Sequence, residues 1–226
     1  MRRLYLVRHG ETDANLNHIV EGQIFNSPLN EHGREQAKLT GRALADIDLK
    51  FIYVSSALRA RQTAVEILKN QVIQKTFERE ICGLESCVPK FRIHSGLLEI
   101  NQGDFEGMKS EEIKEKCGDL YRNYKTCPAE IVFPGGESVI QARNRIAQTL
   151  TEIMESDPDG NILVVSHGGA LALAFICLFG WDINGMFHSL KNDNCGISII
   201  EWPEQTSRPR IVVMNDTCHL IKINER

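Results

Sequence analysis

The sequence lacks the cysteine and histidine spacings that build metal centres or disulfide frameworks. Its seven cysteines form no C-x-x-C pair, and its seven histidines form no H-E-x-x-H motif. Because seven is odd, full pairing would leave one thiol over, so the pattern favours reduced, mostly buried thiols in a cytoplasmic protein. We therefore expect no metal and no cofactor, and a metal-dependent hydrolase is disfavoured.

An excess of positive charge and long apolar runs are also missing. The net charge of −4 disfavours a nucleic-acid-binding protein, which needs a strongly basic face. The longest apolar stretch, residues 170–181, is too short to span a bilayer and predicts a buried core helix. Only four apolar residues lie between Arg3 and Arg8, too few for the apolar region of a signal peptide. We expect neither a nucleic acid nor a membrane as partner.

What is present is the composition of one globular domain. Hydrophobic residues make up 42% and charged residues 25% of the 226 positions, enough to bury a sizeable core. Predicted strands alternate with predicted helices, and Asn30, Ser56 and Ser138 are the expected helix caps. The predicted strands cover residues 4–7, 51–54, 91–93, 161–165, 196–200 and 210–214. The alternation predicts a three-layer α/β/α sandwich with a mostly parallel central sheet.

Two segments show no lasting period and are predicted as loops. Residues 13–27 are polar and contain Gly22, and residues 70–89 suggest at most a frayed helix end before a loop. Residues 110–126 predict one or two short helices interrupted at Gly118. The region 70–134 as a whole is a candidate lid or insertion within the single domain.

Two predicted strands end in the same polar pattern. The strand at 4–7 is followed by Arg8, His9 and a glycine, and the strand ending at 165 is followed by a serine, His167 and Gly168. Glycine permits a sharp turn and a close approach of ligand to backbone. Because parallel strands present their carboxyl ends at one edge of the sheet, where α/β proteins bind ligands, we expect the two histidines to meet there.

Arginines and a carboxylic acid complete a candidate phosphoryl site. Arg59 falls in the first turn of a predicted helix, beside amides that already favour anions. Together Arg8 and Arg59 can grip a phosphoryl group with forked donors. One neutral histidine can attack phosphorus, while the other donates a hydrogen bond to a non-bridging oxygen. This set indicates phosphoryl transfer through a phosphohistidine.

The leaving oxygen in such a reaction needs a proton. Glu99 is the candidate acid, as the carboxylic acid among the residues that the sequence places at the strand edge. Three other acidic residues nearby are alternatives: Glu11, Asp104 and Glu106.

Four motifs, in this order, resemble those of the histidine phosphatase superfamily, the phosphoglycerate mutase-like family. The resemblance runs over nearly the whole chain and implies a phosphoglycerate mutase-like fold. The motifs are L-V-R-H-G-E-T at 6–12, S-S-A-L-R-A-R-Q-T-A at 55–64, G-E-S at 136–138 and V-S-H-G at 165–168.

The resemblance implies a role for each matching residue. His9 would be the phosphorylated nucleophile, Arg8 and Arg59 the phosphate clamps, and His167 the second histidine of the phosphate pocket, followed by Gly168 at the substrate. Glu99 matches the general acid of the family.

Three further positions match loop residues of the family. Asn15 corresponds to a residue that contacts the phosphate, and Gly22 and Gln23 correspond to a loop near the substrate. The alternative for Asn15 and Gln23 is that each side chain only caps or fixes its loop.

The family contains mutases, which return the phosphoryl group to a second oxygen, and phosphatases, which transfer it to water. The mutases resembled here carry a long insertion after the acid, with two adjacent arginines for the substrate. This chain has 35 residues between Glu99 and Gly135, and they contain no Arg-Arg pair. Their single arginine, Arg122, could bind an anionic substrate together with Lys125 but does not reproduce that clamp. We therefore predict a metal-independent phosphatase for a small phosphorylated metabolite, with a phosphoglycerate mutase dependent on 2,3-bisphosphoglycerate as the alternative and a non-catalytic phosphoryl-ligand binding module as a third.

The segment 70–94 is longer than a minimal phosphatase of this kind requires. It predicts either a wall of the substrate site or a contact between subunits of a homodimer. The natural substrate stays open among sugar phosphates, phosphoglycerates, nucleotides and cobalamin-precursor phosphates.

Overall fold

A computed structural model describes residues 2–82, 89–156, 159–203 and 208–224. Within these ranges one sheet contains six strands in the order β3-β2-β4-β1-β5-β6. The strands are β1 (Arg2–Arg8), β2 (Leu49–Ser55), β3 (Lys90–His94), β4 (Asn161–Ser166), β5 (Ile197–Trp202) and β6 (Arg210–Asp216).

The sheet is mostly parallel, as predicted. The first four strands in the chain run parallel, whereas β5 is antiparallel to β1 and β6 is antiparallel to β5. The predicted edge position of the strand near residue 91 is confirmed, because β3 pairs only with β2 in the described sheet.

Helices connect the strands and cover both faces of the sheet. They are α1 (Asp13–Leu16), α2 (Glu31–Ala43), α3 (Leu58–Cys82), α4 (Ser110–Lys116), α5 (Gly118–Thr126), α6 (Val139–Ser156), α7 (Gly168–Phe179), α8 (Ile183–Met186) and α9 (Ile221–Asn224). Short 3-10 turns lie at Ser95–Leu97, Gly103–Phe105, Pro128–Glu130 and Cys218–Leu220.

The alternation of side chains along β1 builds two apolar layers. Leu4 and Leu6 belong to the core formed with α6 and α7, and Tyr5 and Val7 belong to the core formed with α3. Successive residues of a strand point to opposite faces, so a strand covered on both sides is apolar throughout. Burial of such a side chain stabilises the fold by about 2 kcal/mol. The expected three-layer sandwich is confirmed.

Two predicted caps agree with the structure and one does not. The Asn30 side chain accepts from the amide of Gly33, and the Ser138 hydroxyl accepts from the amide of Gln141. The cap predicted at Ser56 is wrong, because α3 begins at Leu58 and its first amide donates to Asn26 Oδ1. A residue distant in the sequence therefore satisfies this helix end.

The two predicted loops are partly helical. Residues 13–16 form α1, whose capping box joins Thr12 and Asn15. Residues 70–82 continue α3, and the rest of that predicted loop, 83–88, lies outside the described residues. The distal part of α3 carries little apolar periodicity, so the sequence pattern did not predict it. Its lysine, glutamine, glutamate and arginine residues favour a helix by propensity instead.

The register of the parallel strands brings three ends together. Val165 of β4 lies opposite Val7 of β1 on one side and opposite Val54 of β2 on the other. Arg8, Ser55 and Ser166 consequently end neighbouring strands at the same edge. None of the helices in the described ranges combines the length and apolar character that crossing a bilayer requires.

Candidate active site

The structure brings His9 and His167 together at the carboxyl edge of the sheet. Their ring centroids are 5.1 Å apart with the planes tilted by 60°, and both side chains are buried. Each histidine directly follows its strand, because β1 ends at Arg8 and β4 ends at Ser166. Two histidines that are 158 residues apart in the sequence are therefore neighbours in the fold.

Hydrogen bonds define the protonation of His9. Its Nδ1 lies 2.7 Å from the carbonyl oxygen of Gly10, and a carbonyl only accepts, so Nδ1 carries the hydrogen. Nε2 accepts from Arg59 Nε at 3.2 Å. The pKa of His9 is lowered well below its usual value, mainly by burial and secondly by the positive charges of Arg59 and Arg8. His9 is thus neutral at pH 7, with a lone pair on Nε2.

Arg59 is oriented by acceptors on the loop after α1. The side chain is 1% exposed, Nη2 donates to the carbonyl of Gly22 at 3.0 Å, and Nη1 lies 3.9 Å from Glu21 Oε1. Glu21 is itself buried, and its Oε2 accepts from Thr12 Oγ1 and Asn15 Nδ2. Sequence reasoning missed Glu21, since a lone acidic residue in a polar loop gives no signal.

Arg8 and His167 each present a donor with no partner. Arg8 Nη1 donates to the carbonyl of Asn192 at 2.9 Å, which leaves Nε buried and unpaired, and His167 Nδ1 is likewise buried and unpaired among the described residues. Burial, then the charges of Arg59 and neighbouring groups, lowers the pKa of His167 well below its usual value. The Nε2 atom of His167 lies 2.7 Å from the Ser55 hydroxyl.

The first turn of α7 adds backbone donors to this space. A side chain on Gly168 would lie 3.6 Å from Arg8 Nε, and the Gly168 amide, as the first of the helix, has no intrahelical acceptor. Helix N-termini favour anions. The unpaired nitrogens, the two arginines and this helix end are a set of donors whose chemistry suits a tetrahedral anion.

Glu99 lies at the same helix end. Its Oε1 accepts from the amides of Ile100 and Ala170, both at 2.9 Å, and its Oε2 accepts from the amide of Gly169 at 3.0 Å. A side chain on Gly169 would come within 2.7 Å of Glu99 Oε1, so glycine is required for this approach. Three backbone amides therefore hold the Glu99 carboxyl in place at this helix end.

Each of the three alternative acids contacts another part of the protein. Glu106 accepts from four backbone amides, those of Gln23, Ile24, Phe25 and Gln102, and so fixes the loop at 22–25. Glu11 accepts from Asn30 Nδ2, and Asp104 lies against Gly135.

The backbone around Glu99 is fixed by a network of three side chains. Arg145 donates to the carbonyls of Gly96, Leu98 and Glu99 and pairs with Glu137 at 2.6 Å. Gln23 Nε2 donates to the carbonyl of Glu99 at 2.8 Å and to Glu137 Oε1.

Sequence reasoning missed Arg145 and Glu137. The first lies within a predicted helix, and the second is the central residue of the G-E-S motif, for which the sequence indicates no role of its own. The amide of Asn101 also donates to Glu137 Oε1, so the motif positions a carboxylate against the Glu99 loop.

Asn15 lies beside His9 but its polar atoms contact protein groups. Its Oδ1 accepts from Asn194 Nδ2 at 3.0 Å, and the same nitrogen of Asn194 donates to the carbonyl of His9 at 2.9 Å. Asn15 therefore supports the backbone of His9. Its expected contact with phosphate stays a prediction.

The described residues contain no group of three or more histidine, cysteine, aspartate or glutamate side chains placed to share a metal ion. The donors of the site are instead cations, neutral imidazoles and amides, a set that suits an anion.

The model of the histidine phosphatase superfamily (branch 1) matches residues 4–217. The chain belongs to the histidine phosphatase superfamily. Membership of this family is consistent with the two histidines and two arginines that lie at one edge of the sheet.

Other members of the histidine phosphatase superfamily are similar over nearly the full length. Phosphoserine phosphatase 1 of Hydrogenobacter thermophilus is 31% identical over 220 residues, covering 97% of this chain and 95% of that protein. The crystal structure of the alpha-ribazole phosphatase from Shigella flexneri is 25% identical, with a TM-score of 0.78 over 95% of this chain and 96% of that one. A mycobacterial glucosyl-3-phosphoglycerate phosphatase complexed with VO3 is 26% identical, with a TM-score of 0.77 over 96% and 100% of the two chains.

Proposed function

We propose that this protein hydrolyses a phosphomonoester of a small metabolite through a phosphohistidine on His9. The observation that carries the proposal is a pair of buried nitrogens, Arg8 Nε and His167 Nδ1, that have no partner in the described part of the chain and lie beside the Nε2 lone pair of His9. A buried donor without a partner is costly, and a tetrahedral anion would satisfy both nitrogens at once.

Binding of the phosphoryl group changes the partner of Arg59. In the free protein Arg59 Nε donates to His9 Nε2 and so occupies the lone pair of the nucleophile. A phosphate oxygen is a charged and therefore stronger acceptor than imidazole. Arg59 donates to that oxygen once substrate binds, and the lone pair of His9 becomes free to attack.

In the first step the His9 Nε2 lone pair forms the N–P bond while the ester P–O bond breaks. Arg8, Arg59 and His167 donate to the non-bridging oxygens as charge builds on them. The proton for the leaving oxygen comes from Glu99. Three backbone amides hold this carboxyl beside the first turn of α7, next to the proposed phosphoryl site.

In the second step water attacks phosphorus and the P–N bond breaks, returning the electron pair to Nε2. The Glu99 carboxylate takes the proton of that water, which restores the acid for the next cycle. No step requires a metal ion, since the arginines supply the positive charge.

Helices α4 and α5 form the lid in this proposal, rather than the whole of the region 70–134. The pKa of Tyr124 on α5 is raised, mainly by burial and secondly by the negative charges of Glu99 and Tyr121. The Tyr124 hydroxyl therefore shares the environment of the proposed acid. A cavity of about 200 Å³ beneath the two helices is lined by aromatic side chains and by Lys125.

A phosphatase is favoured over a mutase by the side chains available on this lid. Arg122 is exposed and pairs with Asp119, and Lys125 Nζ lies over the rings of Tyr121 and Tyr124 at 5.5 and 5.7 Å. Neither arrangement resembles a pair of adjacent arginines for a second anionic group. Interconversion of 2- and 3-phosphoglycerate faster than hydrolysis, after priming with 2,3-bisphosphoglycerate, would support the mutase instead.

The partner of the site is thus a small phosphorylated metabolite, and the net charge of −4 disfavours nucleic acid. A homodimer and a cytoplasmic location stay predictions from the sequence. Sedimentation of the purified protein tests the first, and fractionation of cells tests the second.

The deciding experiment is a screen for phosphate release from metabolite phosphomonoesters with a chelator present. We expect turnover by the natural protein and none by His9→Ala. His32→Ala is the matched control, because His32 lies outside the site and should leave turnover unchanged. Equal turnover by His9→Ala and the natural protein would refute His9 as the nucleophile.

A further inference from the structure

The Ser55 side chain contacts the Nε2 edge of the His167 ring. Ser55 is the last residue of β2, is fully buried, and its hydroxyl lies 2.7 Å from His167 Nε2. The pairing of Val54 with Val165 places β2 directly beside β4, which carries His167 at its end. The contact is thus built by the register of the sheet.

The bonding of Ser55 determines which atom of the pair donates. The amide of Ala57 donates to Ser55 Oγ at 3.4 Å, so the oxygen already accepts a hydrogen bond. Within the described part of the chain, the hydroxyl hydrogen has no acceptor other than His167 Nε2. The hydroxyl therefore donates to Nε2, and Nε2 carries a lone pair.

The protonation of His167 follows from this bond. Burial and the nearby arginines keep the ring neutral, so it carries a single hydrogen. With Nε2 as acceptor, that hydrogen is on Nδ1, the buried and unpaired atom. Nδ1 can then donate to a phosphoryl oxygen. In the opposite tautomer the Nδ1 lone pair would face the oxygen and repel it.

We propose that Ser55 is a positioning residue that fixes His167 in the Nδ1–H tautomer required for phosphoryl transfer. The Gly10 carbonyl performs the matching task for His9, whose hydrogen is also on Nδ1 but whose working atom is Nε2. Two similar imidazoles thus become a nucleophile and a donor through their second hydrogen bonds. The part of this inference that concerns catalysis rests on the proposed function.

The tautomer is measured directly by nitrogen-15 correlation spectroscopy of the histidine rings near pH 7.5. The His167 signals are assigned by their loss in His167→Gln. We expect His167 of the natural protein to be protonated at Nδ1 only, and Ser55→Ala to show a mixture of tautomers or the Nε2–H form. An Nε2–H ring in the natural protein would overturn the proposal, whether or not any variant folds.

Turnover of p-nitrophenyl phosphate provides the second measurement. Loss of the hydrogen-bond partner that orients a metal-bound imidazole costs on the order of 10- to 100-fold, and by analogy we expect kcat of Ser55→Ala to fall by about 10-fold or more. Ser55→Cys, which retains a weak donor, should recover part of the loss.

Ser56→Ala is the matched control. Its hydroxyl makes no hydrogen bond to either histidine in the structure, so both the tautomer and kcat should stay those of the natural protein. Unchanged kcat and an unchanged Nδ1–H signal in Ser55→Ala would refute the role of Ser55. Inactive natural protein would instead count against the proposed function, and the tautomer of His167 would still decide the structural claim.

Discussion

Replacement of Glu99 by glutamine tests whether Glu99, rather than a neighbouring carboxylate, is the general acid. Glutamine keeps the size of the side chain and one oxygen acceptor, but it cannot give a proton to the leaving oxygen. General acid catalysis contributes about 10²- to 10⁴-fold, which corresponds to about 3 to 5 kcal/mol of barrier. We expect kcat for an alkyl phosphate to fall by that factor. p-Nitrophenyl phosphate should lose about 10-fold or less, because its leaving oxygen scarcely needs a proton.

The structure also gives the cost of Glu99→Gln to folding. Two of the three amides can still donate to the remaining oxygen, as Ile100 and Ala170 do to Oε1. The new NH2 group then faces the half-buried amide of Gly169, and loss of that hydrogen bond costs about 0.5 to 1.5 kcal/mol of unfolding free energy. Thermal unfolding measures this loss, and kcat is measured at a temperature where both proteins are folded.

Glu106→Gln is the comparison that makes the result decisive. It weakens an acceptor of four loop amides and should slow both substrates by a similar factor, since it displaces the loop that carries the Gly22 carbonyl beneath Arg59. Equal slowing of the two substrates by Glu99→Gln would refute Glu99 as the acid. Dependence on the leaving group in Glu106→Gln alone would transfer the role to Glu106.

Three further predictions concern the surroundings of the site. Arg145→Met removes the donors to three carbonyls around Glu99. The value of kcat should therefore fall about 10-fold for alkyl phosphates and less for p-nitrophenyl phosphate. An equal loss for both substrates would indicate general unfolding rather than a displaced acid. The pKa values of His9 and His167 are lowered in the fold, so below the usual value of 6.5 the unfolded chain binds protons that the native state does not. The unfolding free energy should therefore decrease as pH falls from 7.5 to 5.5, by on the order of 1 kcal/mol per pH unit for each histidine, and urea titrations should show a smaller decrease for His167→Gln. Phosphate release should be unaffected by a chelator, and loss of activity that Mg²⁺ or Zn²⁺ restores would contradict an anion site made only of protein groups.

The sheet and the meeting of the histidines could be predicted because short-range patterns encode them. Each strand near His9 and His167 is an unbroken apolar run, and a parallel sheet places their carboxyl ends at one edge. The core face of α6 also follows from its apolar spacing, because Val139, Ala142, Ile146, Leu150 and Ile153 recur at helical intervals and are buried together with Thr149.

The parts that could not be predicted depend on contacts between distant residues. The amide that begins α3 donates to Asn26, and the loop at 22–25 is fixed by Glu106, more than 80 residues away. Polar residues of this kind carry no periodicity, and only the folded chain shows which amide each carboxylate accepts from. Glu21 and Arg145 were missed for the same reason.

The distal half of α3 shows a different limit. A helix without an apolar stripe is stabilised by propensity and by a few contacts, such as Gln71 Nε2 donating to the carbonyl of Leu44. The sequence predicts a loop there, because these residues show no apolar face that a helix would bury.

Trapping of the phosphoenzyme tests the central claim most directly. The protein is mixed rapidly with a turned-over phosphomonoester, quenched in alkali to preserve phosphohistidine, and its peptides are examined by mass spectrometry. We predict a single acid-labile phosphoryl group, on His9, which is absent from His9→Ala and forms more slowly in Ser55→Ala. Turnover without any phosphoenzyme, or with the phosphoryl group on another residue, would contradict the account.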